Sequence, residues 1–245
     1  MPERLFGIIG KSLKHTFSPA YFSEKFKKEG ISDCDYQIFE IEKASEISSL
    51  FENPKLLGVN VTIPFKEEVI SYLNDLDVSA RKVGAVNVVK KIDNSLVGFN
   101  SDYFGFKESL LSWYKPKKGE AALILGTGGA SKAVAAVLLD KEIPFRKVSR
   151  SKSDDIVTYD DLKTEGLSNY RLIINTTPLG MFPETSSKPD LLYNSISKEH
   201  YFYDLVYNPP ETTFLSEAKK YGAEIKNGYE MLVLQAERSW GIWNS

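Results

Sequence analysis

The chain is poor in the residues that bind metals or form crosslinks. Its 245 residues hold one cysteine, Cys34, and two histidines, His15 and His200. An intramolecular disulfide is therefore excluded, and a structural Cys/His zinc site cannot be assembled, so no metal is expected. Cys34 is expected to be a small buried or half-buried thiol. Neither sign of charge is in excess: 31 Lys and Arg face 33 Asp and Glu, a net charge of −2. A nucleic-acid partner would require a basic surplus or a basic stripe. No run long enough for a membrane span exists, and MPERLFGIIGKSLKH lacks the apolar core and small-residue cleavage site of a secretory leader. The expectation is a cytoplasmic protein that binds neither nucleic acid nor membrane.

What is present is ordered by periodicity. A 245-residue chain with 42% hydrophobic content suffices for one large domain or two ordinary ones. LFGIIG reads as a short apolar strand and CDYQIFEI as a second. Between them SPAYFSEKFKKEG has helical spacing, with Pro19 near its start and Gly30 at its end. ASEISSLFEN predicts a helix, and VNVTI predicts a strand followed by the helix KEEVISYLNDL. Such alternation builds a parallel or mostly parallel sheet. AVNVVKKIDNSLVGFN predicts two strands joined at Asp93–Asn94, an antiparallel pair expected at the sheet's edge. YFGFKESLLSWY is an amphipathic helix and KPKKGE a polar connector, which puts a domain boundary between about residues 102 and 120. Strands at FRKVSR, YRLIINTT and YFYDLVY and a helix at TTFLSEAKKYG follow; GYEMLVLQAERSWGIW is apolar at helical spacing and is expected to return to the first domain.

GVNVTIPFKEEV, residues 58 to 69, contains a local conflict. Val59, Val61 and Ile63 alternate with Asn60 and Thr62, the period of a strand with one buried face. Pro64 then suits the first position of a helix, where its missing N–H costs nothing. Lys66 would fall in the first helical turn, at the positive end of the peptide dipoles, where Glu67 and Glu68 belong and a cation does not. Breaks of local rules concentrate at functional sites, so Lys66 is a candidate for chemistry.

LILGTGGASKAV places an apolar run before Gly126, Thr127, Gly128, Gly129 and Ala130, and a helix rich in Ala and Val after them. A strand that turns sharply into a helix directs its first N–H groups and dipole at a pyrophosphate, which side chains would keep away. Ser131 stands in the place of the third glycine of the usual G-x-G-x-x-G. An NAD-binding turn is followed about 20 residues later by an acidic residue for the ribose, and an NADP-binding one by an arginine for the 2′-phosphate. Here that strand ends in Ser149, Arg150, Ser151 and Lys152, with no carboxylate. Guanidinium is planar, forked and always charged, so NADP is the expected cofactor.

Segments in a fixed order carry a wider likeness: KHTFSP (14–19), GVNVTIPFK (58–66), GAVNVV (84–89), GFNSDYFG (98–105), GTGGASKA (126–133), NTTPLGM (175–181), DLVYNP (204–209) and GYEMLVLQA (228–236). Together they resemble the shikimate dehydrogenase family over nearly the whole chain. That resemblance implies an α/β fold of two domains: a mainly parallel substrate-binding and catalytic domain, residues 1–102 plus about 228–245, and a Rossmann-like NADP-binding domain, residues 103–227, with the C-terminal helix packing back on the first. It implies reversible reduction of 3-dehydroshikimate to shikimate by NADPH in aromatic amino acid biosynthesis, by a monomer or homodimer. Thr16 and Ser18 match hydroxyls that bind the substrate carboxylate. Thr62, Asn87, Tyr207 and Gln235 match other substrate contacts, with Asn60 supporting the site. Lys66 and Asp102 match the catalytic pair. Thr176, Leu205 and Gly228 join the glycine turn and Ser149–Lys152 as cofactor-binding positions.

The residues themselves are consistent with that chemistry. Hydride addition to a ketone leaves an alkoxide that must be protonated, and a lysine ammonium beside an aspartate supplies proton and charge. A polyol buried without partners loses about 1 to 3 kcal/mol per hydroxyl, and Thr, Ser, Asn and Gln supply partners. The chain departs from the family pattern at Thr16, where many relatives have Ser, at Ser101, which replaces Thr before Asp102, and at Ser149-Arg150-Ser151, which replaces Asn-Arg-Thr. The alternatives are a quinate-preferring relative, a folate dehydrogenase on a similar frame, and a non-catalytic nucleotide-binding paralogue. A hydrolase built on His15 and Ser18 lacks the G-x-S-x-G elbow.

Overall fold

In β1 (Arg4–Gly10), Phe6 and Ile8 enter one hydrophobic core while Leu5 and Ile9 enter another, the sign of a central strand covered on both faces. The computed structural model describes residues 2–14, 16–151, 153 and 156–245; His15 and Lys152 lie outside these. The chain divides into two units, Met1–Phe104 with Gln235–Ser245, and Gly105–Leu234.

In the first unit β1 is followed by α1 (Ser18–Glu29), β2 (Cys34–Glu40), α2 (Ile47–Leu50), β3 (Leu56–Val61), β4 (Asp75–Leu76), α3 (Val78–Val83), β5 (Val88–Ile92) and β6 (Ser95–Phe99). The sheet order is β2-β1-β3-β5-β6-β4. β1 runs parallel to β2 and β3, and β4 parallel to β6, whereas β5 is antiparallel to β3 and β6. The hairpin at Asp93–Asn94 is present, with Asp93 at φ 52. It is not the edge, because the two residues of β4 pair outside β6. The end of α8 (Tyr229–Trp243) closes one face: Trp243 stacks on Phe6 at 4.9 Å between ring centres and donates from its indole N–H to the Val89 carbonyl at 3.1 Å.

The helix expected from Pro64 does not form. Residues 63–67 are turns and only Glu68–Tyr72 makes a short 3₁₀ segment. The Lys66 carbonyl accepts from the Val86 N–H at 2.7 Å, and Ile70 donates to Glu67 instead, so the main chain is held by a distant segment rather than by its own next turn. Ile63 is 77% exposed because the strand ends at Val61. The helix expected over ASEISSLFEN shrinks to α2 behind one 3₁₀ turn.

The second unit contains β7 (Ala122–Leu125), α5 (Gly129–Asp140), β8 (Phe145–Ser149), β9 (Ile156–Thr158), α6 (Tyr159–Glu165), β10 (Leu172–Asn175), β11 (Tyr201–Asp204), α7 (Thr213–Lys220) and β12 (Glu224–Lys226). α4 (Ser101–Trp113) and α8 contain the divisions between units. The order is β12-β11-β10-β7-β8-β9, every pair parallel. This is the doubly wound arrangement that carries ligands at the carboxyl ends of its strands. Sequence reading omits β9, α6, β12 and α3. β9 and β12 have three residues each, too few to show a period. Among the described residues no helix is long and apolar enough to cross a membrane.

Candidate active site

Lys66 and Asp102, 36 positions apart, form an ion pair with Nζ 2.6 Å from Oδ2, their side chains 17% and 10% exposed. Lys66 is carried by the turn after β3. Asp102 lies in the first turn of α4, where the helix dipole favours an anion. That helix starts because Asn100 accepts from the Tyr103 N–H at 3.0 Å while its own amide donates to the Ala85 carbonyl at 2.9 Å.

Asn87 fixes the other carboxylate oxygen. Its Nδ2 donates to Asp102 Oδ1 at 2.9 Å and to Ser101 Oγ at 3.0 Å, and its Oδ1 accepts from the Ser101 N–H at 2.6 Å. Ser101 Oγ reaches Gln235 Oε1 at 3.3 Å and lies 3.1 Å from Ser239 Oγ. Asn60 donates to Ser239 Oγ at 3.0 Å and to the Asn87 carbonyl at 3.3 Å, and accepts from the Tyr36 hydroxyl at 2.7 Å. Burial pushes the Tyr36 phenol up from its ordinary range, opposed by a hydrogen bond from Ser18. Thus Lys66, Asp102, Asn87, Gln235, Asn60 and Ser18 belong to one connected network. It also contains Tyr36 and Ser239, which sequence reading passes over. The available signal for Ser239 is a hydroxyl four residues after Gln235, on the same face of an apolar helix.

Thr62 and Thr16 follow the carboxyl ends of β3 and β1. The Thr62 N–H donates to the Ile9 carbonyl at 3.0 Å and the Thr16 N–H to the Leu13 carbonyl at 3.3 Å; both residues are half-buried. Tyr207 belongs to the second unit, half-buried in the loop after β11.

The positions expected to bind a cofactor lie in the second unit along the carboxyl edge of its sheet, except Lys152, which is outside the described residues. Gly126 follows β7 with φ 110, and a Cβ there would stand 2.7 Å from Thr176 Oγ1. Thr176 follows β10, and its hydroxyl donates to the Leu125 carbonyl at 2.7 Å. Thr127 and Gly128 are exposed. Gly128 is the N-cap of α5 without a capping side-chain bond, and the space its Cβ would occupy is open. Gly129 and Ala130 begin the helix, so its first N–H groups face an uncrowded cradle. Buried Ser131 donates to the Gly128 carbonyl at 2.6 Å and so occupies the third-glycine place without entering the cradle. Ser149 ends β8, beside β7, and Arg150 and Ser151 after it are exposed. Leu205 and Gly228 touch through their backbones: a Cβ on Gly228 would overlap the Leu205 carbonyl.

Buried Asp204 ties this edge together. It accepts from Asn175 Nδ2 at 2.9 Å, the Val206 N–H at 3.0 Å and the Thr212 hydroxyl at 2.6 Å. Burial outweighs these donors and pushes its carboxyl up to about 6.

Residues 8–89 match the family profile described as the shikimate dehydrogenase substrate binding domain. Shikimate dehydrogenase (NADP(+)) of Clostridium beijerinckii is 38% identical over 97% of this chain and 91% of its own length. The crystal structure of shikimate dehydrogenase 1 from Peptoclostridium difficile superposes with a TM-score of 0.85 at 35% identity, covering 98% of this chain and 91% of that one. The Thermus thermophilus shikimate 5-dehydrogenase, solved in complex with NADP(H) and shikimate, gives a TM-score of 0.85 at 29% identity, covering 98% and 93%. With its two α/β units, its part-buried Lys66–Asp102 pair and kinship over nearly its whole length, the chain belongs to the shikimate dehydrogenase family.

Proposed function

We propose that this protein is an NADP-dependent oxidoreductase that interconverts 3-dehydroshikimate and shikimate in aromatic amino acid biosynthesis, with Lys66 as the acid–base group and Asp102 as its partner. The observation that carries the reading is the 2.6 Å ion pair between them, in a chain of this family. Thr16 and Ser18 supply hydroxyls for the substrate carboxylate, and Thr62, Asn87, Tyr207 and Gln235 further contacts, with Asn60 behind them.

When bound, NADPH supplies the hydride to the ketone carbon. The Lys66 ammonium gives its proton to the alkoxide oxygen, and in the reverse direction the same nitrogen takes the hydroxyl proton. Asp102 holds that nitrogen through Oδ2 while Asn87 holds Oδ1, so the donor is oriented before the substrate arrives. Both Asn87 Nδ2 protons are engaged, by Ser101 and Asp102. What these groups retain is lone-pair capacity on Asn87 Oδ1, Ser101 Oγ and the Asp102 oxygens, which suits the hydroxyl donors of a polyol.

The second unit fits the cofactor. The open cradle at Gly128 and the uncapped first turn of α5 suit a pyrophosphate. Gly126, Thr127, Gly129, Ala130, Thr176, Leu205 and Gly228 complete that edge, and Ser149, Arg150, Ser151 and Lys152 are assigned to the 2′-phosphate of NADP. The protein acts in the cytoplasm as a monomer or homodimer. The test is NADP-dependent oxidation of shikimate and NADPH oxidation with 3-dehydroshikimate, with initial rates compared on quinate. Turnover on shikimate is expected; cofactor binding without turnover on any of these substrates would overturn the reading in favour of a non-catalytic paralogue.

A further inference from the structure

Ser239 is fully buried in α8. Its hydroxyl has one proton to give. The Gln235 carbonyl, 2.8 Å away, can only accept, and it takes that proton. Toward its other neighbours Ser239 Oγ is then an acceptor. It receives Asn60 Nδ2 at 3.0 Å, and the Asn60 amide is held in that orientation because Asn60 Oδ1 takes the Tyr36 hydroxyl.

Toward Ser101 the same polarity applies. With Ser239 Oγ accepting at 3.1 Å and Gln235 Oε1 at 3.3 Å, the Ser101 proton points to α8. The Ser101 lone pairs are left for Asn87 Nδ2 at 3.0 Å. The second Nδ2 proton of Asn87 goes to Asp102 Oδ1, and Asp102 Oδ2 holds the Lys66 ammonium. Two backbone groups anchor this chain: the Gln235 carbonyl sets the direction of Ser239 and through it Ser101, and the Ser101 N–H, donating to Asn87 Oδ1 at 2.6 Å, sets the direction of the Asn87 amide.

We propose that Ser239 is a positioning residue for the reaction: it aims the Ser101 hydroxyl proton at α8 and the Ser101 lone pairs at Asn87 Nδ2, and so steadies the seat that Asn87 gives Asp102 and Lys66. The inference rests on the reaction proposed above. Without the Ser239 oxygen, the Ser101 proton keeps only the longer acceptor, Gln235 Oε1 at 3.3 Å, so the Ser101 lone pairs are held less firmly toward Asn87 Nδ2 and the seat of Asp102 loosens, although the Asn87 amide itself stays oriented by the Ser101 N–H at 2.6 Å. A purely structural role would weaken the packing of α8 without regard to Ser101.

The experiment uses the full chain and compares wild type, Ser239→Ala, Ser101→Ala and the double variant, in shikimate oxidation with saturating NADP. Ser239→Ala is expected to lower kcat about tenfold, the scale of one hydrogen bond, with the KM for NADP unchanged. In the Ser101→Ala background the same substitution is expected to cost nothing further. Ser239→Cys fills the site with a somewhat larger group that is a poor acceptor and serves if the alanine variant fails to fold; the same pattern is expected. Unchanged kcat in Ser239→Ala, or an equal loss in both backgrounds, would overturn the role of Ser239 while leaving the reaction intact. A wild-type protein that does not turn over shikimate would instead overturn the reaction, and this role with it.

Discussion

Replacing Asp204 by Asn should change how the protein's stability depends on pH. The carboxyl is wholly buried at the carboxyl end of β11 and its folded-state value rises from 3.8 to about 6. At roughly 1.4 kcal/mol per pKa unit, keeping this group charged inside the fold costs about 3 kcal/mol relative to the unfolded chain. Because the folded value is the higher one, the folded state binds the proton more tightly. The penalty is therefore present in full above about pH 6 and disappears as pH falls toward the unfolded value near 3.8. Between pH 8 and pH 4.5 the contribution changes by about 2 kcal/mol. Asn at this position keeps an oxygen for Asn175 and Val206 and offers an N–H to the Thr212 hydroxyl, which can reverse to accept. The assay is urea denaturation of both proteins across that pH range, with the unfolding of the second unit followed through amide hydrogen exchange in β11. The variant should gain stability on the wild type by about 2 kcal/mol as pH rises from 4.5 to 8. A difference that does not vary with pH, or one that moves the opposite way, would show that Asp204 is not held as a desolvated carboxylate.

Lys66→Ala should lower kcat for shikimate oxidation by about 10²-fold or more, with a smaller effect on substrate KM; near-normal turnover in steady-state kinetics would remove Lys66 from the proton transfer. Arg150→Ala should raise the KM for NADPH by about tenfold or more and leave that for NADH nearly unchanged; an equal loss with both cofactors would mean that the guanidinium does not meet the extra phosphate. Gly228→Ala should destabilise the second unit by about 2 kcal/mol or more, because the Cβ would meet the Leu205 carbonyl, a backbone group that cannot swing away. Thermal unfolding reads this directly, and an unchanged midpoint would contradict the close approach.

The parts of this fold that were legible in the sequence are those whose physics is local. β1 is apolar at every other position on both faces, α1 begins beside Pro19 and ends at Gly30, and the glycine turn sits between an all-buried strand and an Ala-rich helix. Each of these is specified within about ten residues, the range over which periodicity operates. The helix expected at Pro64 fails for a non-local reason: the Val86 N–H claims the Lys66 carbonyl from 20 residues away, and no pattern within KEEVISY announces it. The site network is less local still. Tyr36 meets Asn60 across 24 positions and Asn60 meets Ser239 across 179. A buried serine in an apolar helix has the same letter whether it satisfies its own backbone or anchors a chain of amides, so only the fold distinguishes the two.

Lys66 shows how a local conflict can single out a paired, part-buried cation by an incorrect route. The sequence singles it out as a cation in the first turn of a helix, and that helix does not exist. The helix N-terminus that matters belongs to α4, and the residue in its first turn is Asp102, an anion where the dipoles favour one. The ammonium is therefore not opposed by a dipole from its own segment. It is held by a carboxylate that a neighbouring helix end stabilises and that Asn87 orients. A lysine retained among mostly buried neighbours requires a partner of this kind, since an unpaired charge there would be far more costly than any misplaced surface cation. The charge at Lys66 is thus kept in place by a partner 36 residues distant, Asp102, whose other oxygen Asn87 holds.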